Sequence, residues 1–213
     1  MNWKERFADK LATAEEAVQI IKSGDVVGLG AHTGEPQALC RALEKRRHEL
    51  NGITIFQSSA LSPAAWYEPG WEDTFLIQIS FAMPVSRRAM DEGRIDFIPR
   101  SPALTPQLTS SGRTSSLSSD VFMVMLSPPD EQGFCSFGQA IWFSKQQADL
   151  AKAVVGEVNE RLIRTYGDNA IHVSQIRYLV ENDVPLPQNN TLVEEDQGAA
   201  SETIGQYVAS LVR

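Results

Sequence analysis

Basic residues, cysteines and long apolar runs are all scarce in this sequence. The 19 lysines and arginines are outnumbered by 27 acidic residues, so the formal net charge is −8. A protein that binds nucleic acid needs a basic footprint to neutralise phosphates, and this composition argues against that class. It leaves a small anionic ligand open, because such a ligand responds to local charge rather than to net charge.

The cysteines and the apolar runs also limit the cellular setting. Cys40 and Cys135 have no metal-ligand spacing and form no disulfide framework, which suits a reducing cytoplasm. No run approaches the length of about 18 apolar residues that indicates a membrane span. The N-terminal residues Met1 to Arg6 lack the apolar core of a signal peptide. We therefore expect a soluble cytoplasmic protein, with no membrane or nucleic-acid partner and no bound metal.

What the chain does have is the material for a large core. It contains 213 residues, 42% hydrophobic and 22% charged, which suits one large domain or a domain and a half. Strands are predicted at 26–29, 53–56, 74–79, 95–98, 121–126 and 153–158, and helices from Thr13 to Gly24, from Pro36 to about Gly52, and at 85–92, 145–151 and 201–212. This alternation predicts an α/β fold with a largely parallel open sheet flanked by helices.

The stretch from Gly24 to Pro36 organises the rest of the chain. Its apolar run is predicted to be a buried strand, thinned by Gly28 and Gly30 as happens where a backbone or a ligand comes close. Pro36 suits a first helical position because it has no N–H. A loop of small residues at a helix start directs free N–H groups at an anionic or carbonyl ligand. A plain strand–loop–helix connection explains the same residues equally well.

Two further segments bear on the domain organisation. Residues 105–120 are rich in Ser, Thr, Gly and Pro, which predicts a mobile surface segment that is either a lid over a site or a plain exposed loop. Residues 1–185 are predicted to form one α/β domain. Residues 186–213 are predicted to be a polar linker and a C-terminal helix that lead to a second domain missing from this sequence.

The most specific motif is the turn Ser127-Pro-Pro-Asp-Glu131 followed by Cys135-Ser-Phe-Gly138. Other stretches agree with it in order and spacing: Trp3-Lys-Glu5, Ala14-Glu-Glu-Ala17, Ile21-Lys-Ser-Gly-Asp25, Gly34-Glu-Pro36, Glu92-Gly-Arg94, Glu157-Val-Asn159, Gly167-Asp168, Ile171-His-Val-Ser174 and the run from Ile204 to Leu211. Together they resemble the N-terminal half of the acetyl-CoA hydrolase/transferase family, which includes the acetate, butyrate and 4-hydroxybutyrate CoA-transferases.

The resemblance implies a CoA-transferase-like α/β fold of two similar domains, with acyl-CoA bound between them. It also implies a ping-pong exchange in which a glutamate carboxylate attacks the thioester and fixed N–H donors stabilise the oxyanion. The family carries that glutamate in its second domain, in a Glu-Met-Phe-Ser-Asp-Gly-like stretch that this sequence lacks. We therefore expect no catalytic residue in this chain, and a complementary half or partner subunit in a homo- or hetero-oligomer. Coenzyme A and acyl-CoA are expected as substrates, together with a carboxylic acid, with no permanently bound cofactor.

Local departures from the family pattern predict altered substrate contacts on a retained fold. Relatives commonly have His and Tyr where this chain has Gln132 and Phe134. The histidine of the first glycine loop stands one position later, at His32, with Ala31 in its usual place. The Pro-rich stretch that follows Glu-Val-Asn is replaced by residues 160–164.

The resemblance and the expected edge of the sheet give twelve candidate substrate-binding residues: Gly30, Ala31, His32, Thr33, Gly34, Glu35, Pro36, Phe81, Ala82, Met83, Ser136 and Gly138. His32 either hydrogen-bonds an acyl carboxylate or hydroxyl, or is simply solvated. The helix dipole favours the ionised form of Glu35, which either caps the helix, orients the substrate or acts as a surrogate nucleophile.

Several of these residues have a structural alternative. Phe81 and Met83 either line an acyl pocket or pack in the core, and Ser136 and Gly138 are either structural or bring backbone groups near the site. The basic run 41–47 either meets CoA phosphates or forms a solvated helix face. His172 is interpreted as a satisfied core histidine rather than a ligand.

Three functions remain open from the sequence. The first is the N-terminal domain or subunit of a CoA-transferase that acts on short acyl groups. The second is acyl-CoA hydrolysis, which a requirement for an added carboxylate would distinguish from transfer. The third is a non-catalytic module that binds a CoA ester or a partner protein. An apolar face left by the absent domain predicts a dimer or a hetero-complex.

Overall fold

The computed structural model describes residues 2–101, 103, 105, 107, 111–112, 118–186 and 198–212. Its strands are β1 (Val26–Leu29), β2 (Ile53–Gln57), β3 (Phe75–Ile79), β4 (Ile95–Phe97), β5 (Val121–Leu126), β6 (Phe134–Ser136), β7 (Ala153–Val158), β8 (Ala170–His172) and β9 (Tyr178–Glu181). Its α-helices are α1 (Trp3–Arg6), α2 (Ala14–Ala17), α3 (Gln37–Lys45), α4 (Pro84–Asp91), α5 (Ser144–Leu150) and α6 (Gly198–Leu211). Short 3-10 turns lie at Ala8–Lys10, Val18–Ile20, His32–Gly34, Ala65–Tyr67 and Val173–Gln175.

Seven of these strands form one parallel sheet in the order β4-β3-β2-β1-β5-β7-β9. The remaining two, β6 and β8, pair antiparallel in a separate ribbon. The predicted α/β fold with a largely parallel sheet is confirmed. Strand order reverses between β1 and β5, so the connections that leave these two strands diverge. In open α/β sheets, the crevice at the carboxyl ends beside such a reversal is where ligands bind.

Strand β5 shows how the sheet separates two layers of core. All six of its residues are buried. Val121 and Met123 belong to one hydrophobic cluster, whereas Phe122 and Val124 belong to another. Because successive side chains of a strand point to opposite faces, the two clusters lie on the two sides of the sheet. Both faces are therefore covered, as a parallel sheet requires.

Two helix starts were predicted from the sequence, and the structure treats them differently. The capping box is confirmed, because the Thr13 hydroxyl accepts from the N–H of Glu16 while the Glu16 carboxylate accepts from the N–H of Thr13. Helix α3, in contrast, begins one residue after Pro36, which is its N-cap. The same helix ends at Lys45 rather than near Gly52. Directly after Lys45, the N–H of Arg46 donates to the carbonyl three residues earlier, which tightens the last turn.

The C-terminal helix stands apart from these cores. Helix α6 begins three residues before the predicted Ser201, and every one of its residues is exposed. Its apolar residues Ile204, Tyr207, Val208 and Leu211 recur at intervals of three and four, which places them along one face. Most of the linker predicted before this helix, and much of the segment 105–120, lies outside the described residues. No described helix combines the length and the apolarity needed to cross a membrane.

Candidate functional site

The loop that follows β1, residues 30–36, is here called the site loop. It leaves the sheet at the strand-order reversal, where the N–H of Gly30 still donates to the carbonyl of Met123 on β5 (2.9 Å). The loop then folds back on itself through the 3-10 turn His32–Gly34. A Cβ on Gly30 would lie 2.1 Å from the carbonyl oxygen of Gly34, so glycine is required at this position.

His32 is held in a strained conformation within this loop. Its φ of +51° is the only positive φ of a non-glycine residue among those that the structure describes. Such conformations cost free energy and concentrate at functional sites. The N–H of His32 donates to the carbonyl of Ser59 beyond β2 (3.1 Å), and its ring meets Trp142 edge-on with the centroids 5.1 Å apart. Burial lowers the pKa of His32, so the imidazole is neutral at neutral pH.

A cavity of about 270 Å³ opens beside the site loop. Three segments line it: the site loop, the segment after β2 and the segment after β6. The lining residues are Ala31, His32, Thr33, Leu61, Gln139, Ala140 and Trp142. At its rim the rings of Trp142 and Phe81 lie 5.4 Å apart, and they are 44% and 39% exposed. The cavity is small and mostly apolar, with an aromatic rim that faces solvent.

Several polar groups around this cavity have no partner in the part of the chain that the structure describes. The N–H groups of Ala31 and Thr33 have no acceptor among the described residues, and the buried Thr33 hydroxyl has no hydrogen bond. The hydroxyls of Ser58, Ser59 and Ser80, at the carboxyl ends of β2 and β3, are also buried without a partner among the described residues. A buried unpaired polar group costs about 1–3 kcal/mol. Their concentration at one edge of the sheet is the arrangement expected of a site that receives a polar ligand.

Two of the N–H groups predicted to be free at the helix start already have an acceptor. The buried carboxylate of Glu157 on β7 accepts from the N–H groups of Ala38 (2.8 Å) and Leu39 (3.0 Å) through one oxygen. Its other oxygen accepts from the side-chain amide of Asn182 (2.7 Å). Burial raises the pKa of Glu157. The first turn of α3 is thus occupied by the protein's own carboxylate, and the available N–H donors lie in the loop instead.

The prediction that Glu35 caps the start of α3 is also wrong, because the N-cap of that helix is Pro36. Its extended backbone turns the side chain toward the segment after β2, where the carboxylate accepts from the N–H groups of Leu61 (2.9 Å) and Ser62 (3.3 Å). The residue is 3% exposed, and burial raises its pKa despite these two bonds. Glu35 therefore joins two walls of the cavity and does not cap α3.

Ser136 and Gly138 belong to the signature turn, residues 127–138, and their geometry favours the structural alternative. The Ser136 hydroxyl accepts from the N–H groups of Gly138 (3.1 Å) and Thr165 (3.2 Å). The carbonyl of Gly138 accepts from the Thr165 hydroxyl (2.6 Å) and the Asn169 amide (3.0 Å). Neither residue lines the cavity. Both fix the start of the segment 139–142, which does.

The other candidates take varied places around the cavity. Gly34 packs so tightly that a Cβ would lie 2.9 Å from that of Ala140, and Pro36 is buried. Ala82 and Met83 are half-buried, and Met83 is the N-cap of α4. Neither of them is among the cavity-lining residues. Substrate contact by any of the twelve residues stays a prediction.

Sequence reasoning missed four lining residues: Leu61, Gln139, Ala140 and Trp142. For Trp142 a signal was present, because an aromatic pair directly follows the most specific turn of the chain. Leu61 had none, since its segment carries no periodic pattern and reaches the site only through the parallel pairing of β2 with β1.

Two other candidate groups have structural partners. The Arg46 guanidinium donates to the carbonyls of Val18 and Ile21, and the Arg47 guanidinium lies 4.4 Å from the centroid of the Trp71 ring. These two members of the basic run hold the fold together. The ring nitrogens of His172 bond the Ser174 hydroxyl (2.8 Å) and the Gln132 carbonyl (3.1 Å), so this histidine is satisfied, although it lies near the surface. No group of three potential metal-ligating side chains occurs within the described part of the chain.

Comparisons with known proteins bear on the family and the fold of this chain. The family model for the acetyl-CoA hydrolase/transferase N-terminal domain matches residues 1–187. The 4-hydroxybutyrate coenzyme A transferase of Clostridium kluyveri is 35% identical over 212 residues, which are 100% of this chain and 48% of that protein. The butyryl-CoA:acetate CoA-transferase of Anaerostipes caccae is 30% identical, over 100% of this chain and 46% of that protein.

Among solved structures, RipA from Yersinia pestis superposes on 100% of this chain with a TM-score of 0.81 at 26% identity, and the match covers 51% of the RipA chain. The chain thus spans about half the length of each of these relatives.

Proposed function

Since this chain belongs to the acetyl-CoA hydrolase/transferase family, we propose that it is the N-terminal half or subunit of a CoA-transferase. The enzyme would move CoA between a short-chain acyl-CoA and a carboxylic acid. Its named relatives include transferases for 4-hydroxybutyrate and for butyryl-CoA with acetate. They are about twice the length of this chain, so the proposal divides the enzyme into this half and a complementary one.

The observation that carries the proposal is the cavity beside the site loop. Its volume of about 270 Å³ suits a short acyl chain. Leu61, Ala140 and Trp142 offer apolar surface to that chain. The unpaired N–H groups of Ala31 and Thr33 offer donors to a carbonyl or carboxylate oxygen. The neutral imidazole of His32 offers one more polar contact without a charge.

In the proposed reaction this half binds and orients, and the complementary half supplies a glutamate. The glutamate oxygen forms a bond to the thioester carbon, the carbon–sulfur bond breaks, and CoA leaves as a thiolate. The thiolate then attacks the glutamyl carbonyl of the anhydride and releases the first carboxylate, which leaves a glutamyl-CoA thioester for the second acid. Each addition places negative charge on a carbonyl oxygen, and preorganised N–H donors lower the free energy of such states.

The exposed apolar surface supports an assembled enzyme. Phe81 and Trp142 stand at the cavity rim with Ile141 beside them, and Ile141 is 50% exposed. Helix α6 exposes a second apolar stripe. Exposed apolar groups collected at one site are typical of surfaces that another polypeptide covers. We propose that the complementary half covers the rim and closes the acyl cavity.

A complementation assay tests this division of labour. The chain alone, and the chain fused to the part of the Clostridium kluyveri transferase beyond the matched region, would be given butyryl-CoA and acetate. We expect acetyl-CoA from the fusion and none from the chain alone. Robust turnover by the purified chain would refute the proposal. Loss of butyryl-CoA from the fusion without added acetate would instead identify a hydrolase.

A further inference from the structure

A buried carboxylate that the proposed reaction does not use lies between two walls of the cavity. Glu35 is 3% exposed, and its oxygen Oε2 accepts from the N–H groups of both Leu61 and Ser62. We propose that Glu35 is a positioning residue, which ties the segment after β2 to the site loop and so holds Leu61 in the cavity wall beside Ala31. This inference rests on the proposed function only for the use of the cavity.

The segment that Glu35 holds is otherwise tied to the sheet at its start, where the Ser58 carbonyl accepts from the N–H groups of Ser80 and Phe81 and where Ala60 packs in the core. Between β2 and the 3-10 turn at Ala65–Tyr67 it forms no regular structure. The carbonyl of Ser59 accepts from the N–H of His32 at the start of this segment. Beyond that point, no other acceptor among the described residues receives the N–H groups of Leu61 and Ser62. One carboxylate therefore sets where Leu61 lies.

The bonds to Glu35 depend on its charge. Hydrogen bonds to an ionised carboxylate are about twice as strong as those to a neutral acid. Burial opposes ionisation, whereas the N–H groups of Leu61 and Ser62 and the side chains of Gln57 and Ser62 favour it. The strength of the bonds to the segment and the charge of Glu35 therefore change together. A role confined to filling space would not link the position of Leu61 to pH.

Of the groups that face Glu35, the Cys40 thiol and the Tyr67 hydroxyl stay protonated, whereas burial also raises the pKa of Glu44. From α3 the Cys40 thiol faces it, with a pKa raised well above the ordinary value by burial and by the nearby carboxylates, so this thiol stays protonated. The Tyr67 hydroxyl donates to Gln57 (2.9 Å), and burial raises its pKa far above the ordinary value. Glu44 and Arg41 line the neighbouring surface depression, and the Glu44 carboxylate accepts from the N–H of Ala65.

Amide NMR on the full chain tests this inference directly. From about pH 8 to about pH 4, the amide protons of Leu61 and Ser62 should titrate together, with one midpoint above the ordinary range of a glutamate. In Glu35→Gln the titration should vanish, and exchange of these two amides with solvent should become about tenfold faster. Ala38 and Leu39 are internal controls for the substitution, because their amides donate to Glu157 and should exchange at the same rate in Glu35→Gln as in the unmodified chain.

Each other outcome decides against the inference. It fails if the two amides do not titrate in the unmodified chain, or if Glu35→Gln leaves their exchange unchanged. Should Glu35→Gln not fold, the titration of the unmodified chain and the variant Glu35→Asp still decide. Glu35→Asp keeps the charge and should retain the titration with a shifted midpoint, so a midpoint identical to that of the unmodified chain also overturns the inference. Failure of butyryl-CoA to bind would contradict the proposed function and leave this result standing.

Discussion

The site loop and the signature turn are both built at the carboxyl edge of the sheet, and they differ in how their polar groups are used. In the signature turn, Asp130 accepts from the N–H groups of Gln132 and Phe134, each at 2.9 Å, and from the Arg164 guanidinium at 2.8 Å. In the site loop, the Thr33 hydroxyl is buried without a partner and His32 is strained. The Asp130 carboxylate of the signature turn is hydrogen-bonded within the protein, whereas the Thr33 hydroxyl of the site loop has no partner among the described residues.

The residues of the most specific sequence motif, the signature turn, therefore have a structural role. The specific motif of the signature turn orients the segment that carries Trp142, whereas the cavity itself is lined by ordinary residue types in a constrained backbone. Substitutions in the signature turn should therefore change stability, whereas substitutions of His32 and Thr33 in the site loop should change binding with only a small change in stability.

The largest effect is expected for Ser136→Ala. The substitution leaves the N–H groups of Gly138 and Thr165 without their acceptor, which should lower the free energy of unfolding by about 2–4 kcal/mol. Urea denaturation measures this, with Ser210→Ala on the exposed helix α6 as the matched control. A loss no larger than that of the control would show that the signature turn is not the scaffold.

A pair of threonine substitutions gives the sharpest contrast between the two regions. Thr33→Val removes a buried hydroxyl that has no partner, so it should stabilise the fold by about 1 kcal/mol. Thr165→Val removes a hydroxyl that donates to the Gly138 carbonyl at 2.6 Å, so it should destabilise the fold by about 1–3 kcal/mol. If thermal or urea unfolding showed that both substitutions change stability equally and in the same direction, the proposed difference between the two regions would be refuted.

At His32 the choice between glycine and alanine isolates backbone strain. Both variants lose the ring contact with Trp142, but glycine adopts a positive φ without penalty whereas alanine keeps the strain. We expect the free energy of unfolding of His32→Gly to be about 1 kcal/mol higher than that of His32→Ala. If the alanine variant proves as stable as the glycine variant, the strain assigned to the site loop is absent.

The smallest effect expected is a pair of opposite pH dependences, because burial and hydrogen bonds act on the pKa of each carboxylate in opposite directions. Burial raises the pKa of Glu35, so above the pKa of the unfolded chain the folded state holds more protons, and stability falls as pH rises toward the folded pKa. For Asp130, burial acts to raise the pKa, but the N–H groups of Phe134 and Gln132 and the Arg164 charge outweigh it and lower it. Its contribution is therefore present above the unfolded pKa and is lost as pH falls through the folded one.

Unfolding curves at several pH values check these signs. Relative to Glu35→Gln, the native chain should lose stability as pH rises above about 4.5. Relative to Asp130→Asn, it should lose stability as pH falls below about 4. Slopes of the same sign for both pairs would contradict the assignment of one carboxylate to each behaviour.

The sequence was sufficient for most of the fold and for part of the site. Apolar runs located six strands of the parallel sheet, and each predicted end lies within one residue of the observed end. This succeeded because the strands of a parallel sheet are short and continuously apolar. The glycine pattern around Gly28 and Gly30 also located the site loop. The occupation of the α3 start could not be predicted, since the carboxylate of Glu157 comes from a strand more than a hundred residues away. The same holds for Leu61 and Trp142, which only tertiary structure brings beside His32.

Titration of the isotope-labelled chain with butyryl-CoA, followed by amide NMR, tests most directly whether the site loop receives the ligand. The account predicts saturable shifts of the Ala31 and Thr33 amides, because a ligand oxygen accepts from N–H groups that are otherwise unpaired. The amide resonances of Gln132 and Phe134 should not shift, because these N–H groups already donate to Asp130. Shifts confined to the signature turn, or none at Ala31 and Thr33 while butyryl-CoA is present in excess, would contradict it.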